Sequence, residues 1–130
     1  MNPLWYTSPM LLSIVVPCYN EEEALALFMA RFDEATAAIA GVSFELLLVD
    51  DGSRDNTLRL CEQIAARDAR ARVLSFSRNF GKEAARLAGL SSARGDLIAV
   101  MDADLQDPPE LLAQMLAIME ETGCDCVAAR

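Results

Sequence analysis

The sequence predicts an α/β protein, a three-layer αβα sandwich around a mostly parallel sheet. Two observations predict the class. Short apolar runs rich in β-branched residues alternate with segments whose apolar residues recur every three or four positions. Runs that are apolar throughout suit strands covered on both faces, and strand–helix alternation with right-handed crossovers makes such a sheet parallel. A third observation concerns position: three of the runs end in polar or acidic loops, at 17–21, 50–55 and 102–107. In a parallel sheet those loops share one edge, where open α/β sheets bind ligands.

Residues 10–16 are apolar except for Ser13 and form the first predicted strand. Asn20 follows as a helix N-cap, with Glu21, Glu22 and Glu23 in the first turn where the helix dipole favours negative charge. Leu25, Phe28, Met29, Phe32 and Ala35 then mark an amphipathic helix to about residue 40, stopped by Gly41. The second strand, 44–49, runs into Asp50-Asp51-Gly52-Ser53. Asp55 is placed to cap a helix whose inner stripe is Leu58, Cys61, Ile64 and Ala65.

A short third strand covers 72–75, and the loop 77–82 enters a third helix with Ala85, Leu87, Ala88 and Leu90 inward. The fourth strand, 96–101, is apolar enough to be buried on both faces. Asp107-Pro108-Pro109-Glu110 then starts a helix: an N-cap, proline at the first position and Glu three residues after the cap. Leu111, Leu112, Met115, Ile118 and Met119 are its expected buried face, Gly123 its stop, and 126–129 a fifth strand.

The 130 residues suffice for one domain over 10–130, with 1–9 as a disordered lead-in. A hydrophobic share of 53% against 24% charged excludes a disordered chain. A net charge of −9 with no histidine argues against nucleic acid as a partner. Cys124-x-Cys126 is too tight for a zinc pair, so the four cysteines read as structural thiols in a reducing cytosol. No apolar run approaches the ~20 residues that cross a bilayer, and no basic stretch precedes an apolar one at the N-terminus, so the chain as it stands reads as soluble.

Asp102-Ala103-Asp104 closes the fourth strand. Alone, such a pair reads as two solvated turn carboxylates. Three acidic loops converging on one sheet edge reverse that reading. Two hard anionic oxygens, with the Gln106 amide nearby, suit Mg²⁺ or Mn²⁺ held jointly with substrate phosphates.

Four segments make the chain recognisable: Val-Pro-Cys-Tyr-Asn-Glu (16–21), Val-Asp-Asp-Gly-Ser (49–53), Ser-Arg-Asn-Phe-Gly-Lys-Glu (77–83) and Met-Asp-Ala-Asp-Leu-Gln-Asp-Pro-Pro (101–109). In this order and spacing they resemble glycosyltransferase family 2, and within it the polyprenyl-phosphate sugar transferases, both the dolichol-phosphate mannose synthases and the bacterial undecaprenyl-phosphate transferases, with the 77–82 segment pointing to the bacterial branch. The resemblance covers about residues 11–130 and implies a GT-A, Rossmann-like fold with a UDP- or GDP-sugar donor. It implies Pro17, Tyr19 and Glu21 in the nucleoside pocket, and Val49 and Asp51 as its second wall. It further implies Asp102, Asp104 and Gln106 at the metal, Ala103 against the donor and Arg130 on the diphosphate.

Tyr19 either stacks on the base or packs at the strand end. Asp50 is expected to hold its own loop by accepting backbone N–H bonds. Arg78 and Lys82 either approach phosphates or form a solvated basic pair at the helix entry.

The implied chemistry is inverting displacement at the anomeric carbon, with the metal at Asp102 and Asp104 neutralising the leaving diphosphate and a polyprenyl phosphate as acceptor. A lipid phosphate is already anionic at neutral pH and needs no strong base; a glycan hydroxyl acceptor would need a carboxylate. Relatives of this kind continue well past this length. The chain therefore reads as a donor-binding half that binds without turning over, its acceptor part and any anchor lying at the cytoplasmic face of a membrane. An uncovered edge strand makes self-association expected.

Two other readings fit less well. An Asp-x-Asp phosphohydrolase carries its motif after the first strand, followed by a small residue and Thr. A receiver-like Mg²⁺-binding signalling domain needs its acidic pair after the first strand and a lysine after the fifth.

Overall fold

The computed structural model describes residues 10–106, 108–124 and 126–127. Its elements run β1 (Met10–Cys18), α1 (Leu25–Ala37), β2 (Val42–Asp50), α2 (Thr57–Arg67), β3 (Ala71–Ser75), α3 (Lys82–Ser92), β4 (Leu97–Val100) and α4 (Leu111–Thr122). The four strands form one sheet in the order β3-β2-β1-β4, every pair parallel. The predicted fold class holds.

Register explains the layers. Leu12, Ile14 and Val16 of β1 lie level with Phe44, Leu46 and Leu48 of β2, and Leu12 and Ile14 with Leu97 and Ala99 of β4. That face is covered by Leu25, Phe28 and Phe32 of α1, Cys61 of α2, and Leu112 and Leu116 of α4. Val15, Leu47 and Val49 point to the other face, where Ala85 of α3 packs on them. Crossing the sheet from β3 back to β4 puts α3 on that side, the only helix there among the described residues.

Several local expectations change. The inward stripe of α3 is Ala85, Ala88 and Gly89, while Leu87 is 64% exposed and Leu90 is exposed too. Small residues win because the helix sits directly on β1: a Cβ on Gly89 would lie 2.2 Å from Val15 Cγ1. On α4, Leu116 is buried and Ile118 is exposed. The strand β4 is not buried on both faces. Ile98 (42%) and Val100 (38%) are exposed, because α3 rests on β1 and β2 and nothing among the described residues covers that side of β4.

Helix starts differ as well. α1 begins at Leu25 without a side-chain cap, and Asn20 instead takes a left-handed φ of 52°. α1 ends at Ala37, before Gly41, whereas Gly123 does close α4 in the left-handed conformation. The expected Asp55 cap of α2 shifts by one residue: Asn56 stands at the N-cap without a side-chain bond, and Asp55 just before it accepts the Thr57 N–H at 2.9 Å.

The lead-in 1–9, Asp107 and Arg130 lie outside the described residues, as does half of the predicted fifth strand, 128–129; Cys126 and Val127 have no regular structure. Among the described residues no helix is long and apolar enough to cross a membrane.

Candidate functional site

Three loops at the carboxyl edge of the sheet are stitched into one rim. Loop one joins loop two through Asn20, whose N–H donates to Ser53 Oγ (3.0 Å) and whose Oδ1 accepts from Arg54 N (2.9 Å). Glu21 N donates to Thr57 Oγ1 at 2.8 Å, and Asp51 N to Cys18 O at 2.9 Å. Asn20 thus serves as a bridge between loops, which is why it does not cap a helix.

Loop two holds loop three through Asp51. Its carboxylate, in a residue only 3% exposed, accepts from Phe80 N (2.8 Å), Gly81 N (3.1 Å) and Asn79 Nδ2 (3.2 Å). Gly52 makes the approach possible: φ is +67°, and a Cβ there would meet the Arg78 carbonyl carbon at 2.2 Å. The expected division of labour between the two aspartates is therefore reversed in part. Asp51 is the main acceptor of backbone N–H groups. Asp50 accepts one long bond, from Ser53 N at 3.4 Å, and its buried Oδ1 has no partner among the described residues.

Between the loops lies a cavity of about 440 Å³. Pro17, Cys18, Tyr19 and Glu21 line it from the first loop, Asp51 from the second, Asn79, Gly81 and Lys82 from the third, and Asp102 and Asp104 from the fourth. Tyr19, 41% exposed, stands at its rim.

Of the residues singled out in the sequence, Val49 and Ala103 are buried in the core and are not in the lining. Gln106 is exposed outside the cavity, its backbone N–H donating to Asp104 Oδ1 at 3.2 Å. Arg78 turns away to stack on the Phe80 ring, 4.5 Å from its centroid. Cys18, Asn79 and Gly81 line the cavity without having been singled out. All three fall inside the quoted motifs, the signal that could have found them.

The electrostatics are lopsided. Burial first, then the charges of Asp104 and Asp102, push the Glu21 carboxyl above its ordinary range, and only Lys82 pulls the other way. Lys82 Nζ lies 2.9 Å from Asp102 Oδ1. Leu105 adds strain to the acidic turn, holding a left-handed φ of 65° that costs a branched side chain about 1 kcal/mol.

No group of three or more His, Cys, Asp or Glu side chains that could hold a metal exists among the described residues. The donor set nonetheless fits a hard divalent ion. Asp102 and Asp104 face one cavity, their charge is under-compensated, and such ions take their remaining ligands from water and substrate phosphates.

The family model described as Glycosyl transferase family 2 matches residues 13–130. The chain belongs to glycosyl transferase family 2. An undecaprenyl-phosphate 4-deoxy-4-formamido-L-arabinose transferase of Pseudomonas aeruginosa (strain LESB58) is 46% identical over 107 residues, covering 82% of this chain and 31% of that protein. Its namesake in Proteus mirabilis (strain HI4320) is 40% identical over 119 residues, covering 91% and 36%. The chain thus spans about a third of the length of the curated relatives it matches.

Among solved structures, S. aureus TarS 1-349 in complex with UDP superposes with a TM-score of 0.69 at 26% identity, over 88% of this chain and 33% of that one. The mannosyltransferase PcManGT from Pyrobaculum calidifontis, in complex with GDP-Man and Mn2+, gives 0.72 at 22%, over 91% and 34%. The second likeness concerns the fold alone, and the expected GT-A architecture of the family is that fold.

Proposed function

We propose that this family 2 domain binds a nucleoside-diphosphate sugar in the cavity and serves an inverting, metal-dependent transfer to a polyprenyl phosphate. The observation that carries the reading is the convergence of Glu21, Asp102 and Asp104 on one cavity with Lys82 as the sole cation of the lining among the described residues. Relatives named for undecaprenyl phosphate support the acceptor class, and a neighbour holding UDP supports the donor class.

Each lining residue has a task the donor requires. Tyr19 at the rim offers a face for the base, Pro17 shapes the floor beneath it, and Glu21 accepts hydrogen bonds from ribose or base. Asp51 acts through the loop it anchors. Asp102 and Asp104 would hold Mg²⁺ or Mn²⁺. When bound, the cation supplies Lewis-acid neutralisation of charge on the leaving diphosphate. The lipid phosphate attacks as an anion, so the chain needs no proton acceptor, in keeping with its lack of histidine.

Calorimetric titration with UDP, GDP, UDP-glucose and GDP-mannose, in Mn²⁺ and then in EDTA, tests the reading. Metal-dependent binding of one nucleotide class, lost in Asp102→Asn and Asp104→Asn, is expected. No binding to any of them by the folded chain would refute it.

A further inference from the structure

We infer that Lys82 is a built-in competitor for the divalent cation: it neutralises Asp102 in the ligand-free chain, yields that carboxylate to the metal, and then serves the donor's diphosphate. The inference rests on the proposed function and adds a regulatory step to the same site.

Lys82 is the first residue of α3, where the helix dipole disfavours a cation. Helix stability therefore does not account for a lysine here. Its ammonium pairs instead across loops, 2.9 Å from Asp102 Oδ1, while the neighbouring Arg86 pairs within its own helix with Glu83.

The placement is built from below. Asp51, nearly inaccessible, clamps the N–H groups of Phe80 and Gly81, and Gly81 takes a φ of +107° that turns the chain into α3. Gly52 lets the two loops touch backbone to backbone. Asp51 and Gly52 are thus positioning residues for the base of the Lys82 side chain. The tip is free to move: the Lys82 side chain is 51% exposed, whereas that of Asp102 is 16% exposed. A flexible four-carbon stem suits a charge that must be held and then released.

Charge favours the exchange. An ammonium and a bare divalent ion on one carboxylate repel a few ångströms apart, and the doubly charged ion holds the carboxylate more strongly. The arriving metal displaces Lys82, and the diphosphate, the most highly charged anion the donor brings into the cavity, then draws the ammonium.

Mn²⁺ binding to the 130-residue chain, followed by electron paramagnetic resonance of the free ion, tests this without any turnover. UDP and GDP affinities at saturating Mn²⁺ form the second arm. Lys82→Met is expected to bind Mn²⁺ about tenfold tighter without nucleotide, yet UDP or GDP about tenfold more weakly with it. Arg86→Met, which removes the same charge one turn along α3, is expected to shift both by less than about twofold.

Opposite signs distinguish this role from a merely structural ion pair, whose loss would weaken both affinities or neither. Mn²⁺ that binds through Asp102 but no more tightly to Lys82→Met would overturn this inference alone. Mn²⁺ that binds equally to wild type and Asp102→Asn, or to neither wild type nor Lys82→Met, would remove the metal reading and this inference with it.

Discussion

Two glutamates near opposite edges of the sheet are treated in opposite ways. Glu45, on β2, is buried, and burial alone would raise its carboxyl. Hydrogen bonds from Arg94 N, the Arg72 guanidinium and Ser13 Oγ outweigh that and hold it below its ordinary range. Glu21, at the other edge, is raised by burial and by two neighbouring aspartates, with a single lysine in opposition. A carboxylate that holds a fold together is saturated with donors. One that awaits a ligand is left in debt of positive charge.

The structural cluster is a true junction. Ser13 Oγ accepts from Gly95 N at 2.8 Å, and Arg72 donates to Ser92 O at 2.7 Å, so one glutamate ties the α3–β4 turn to β1, β2 and β3. Breaking it carries the largest expected effect. Glu45→Leu takes from the Arg72 guanidinium its only carboxylate partner among the described residues, and from two further donors their acceptor, and should cost about 2–4 kcal/mol in chemical denaturation. A loss under about 1 kcal/mol would mean that the network is incidental.

The pH dependence sharpens the contrast. Because the folded carboxyl of Glu21 is raised, its favourable contribution is full below the unfolded value and is lost as pH rises through the folded one. Glu45 has the reverse sign: its contribution is present above the unfolded value and lost as pH falls. The denaturation midpoint of Glu21→Gln should therefore gain on wild type as pH rises above the ordinary glutamate range, and saturating Mn²⁺ should shrink the gap. A gap independent of pH would show that Glu21 is not under strain.

The smallest effect is the most diagnostic. Asp104→Asn removes one of the repelling charges and should stabilise the metal-free chain by roughly a few tenths of a kcal/mol. Destabilisation instead would place Asp104 with Glu45 among the residues that hold the fold.

Much of this molecule is legible along the chain. The runs 10–16 and 44–49 became β1 and β2 because their apolar periodicity is local, and Gly123 ends α4 because a left-handed stop favours glycine. The acidic loops met at one edge because strand–helix alternation makes the sheet parallel. The motif spacing carried the family. Other readings failed where a partner from elsewhere in the chain intervened. Asn20 has the chemistry of a cap, but Arg54 N, 34 residues away, claims its Oδ1. Leu87 and Leu90 fit an apolar stripe, but the seat on Val15 admits only the small face of α3.

Asp50 and Asp51 illustrate the same limit. Adjacent and identical in side chain, they differ because only Asp51, which lines the cavity, also meets the backbone of the 79–81 loop, while Asp50 at the end of β2 accepts one long bond from Ser53 N. The sequence by itself determined the element order, the fold class and the acidic motifs, since turn chemistry and hydrophobic period depend on neighbours a few residues apart. Which aspartate anchors, which basic residue faces Asp102 and which side of β4 stays open were decided by the sheet order β3-β2-β1-β4. That order sets contacts between residues far apart in the chain, and such contacts leave no local signature.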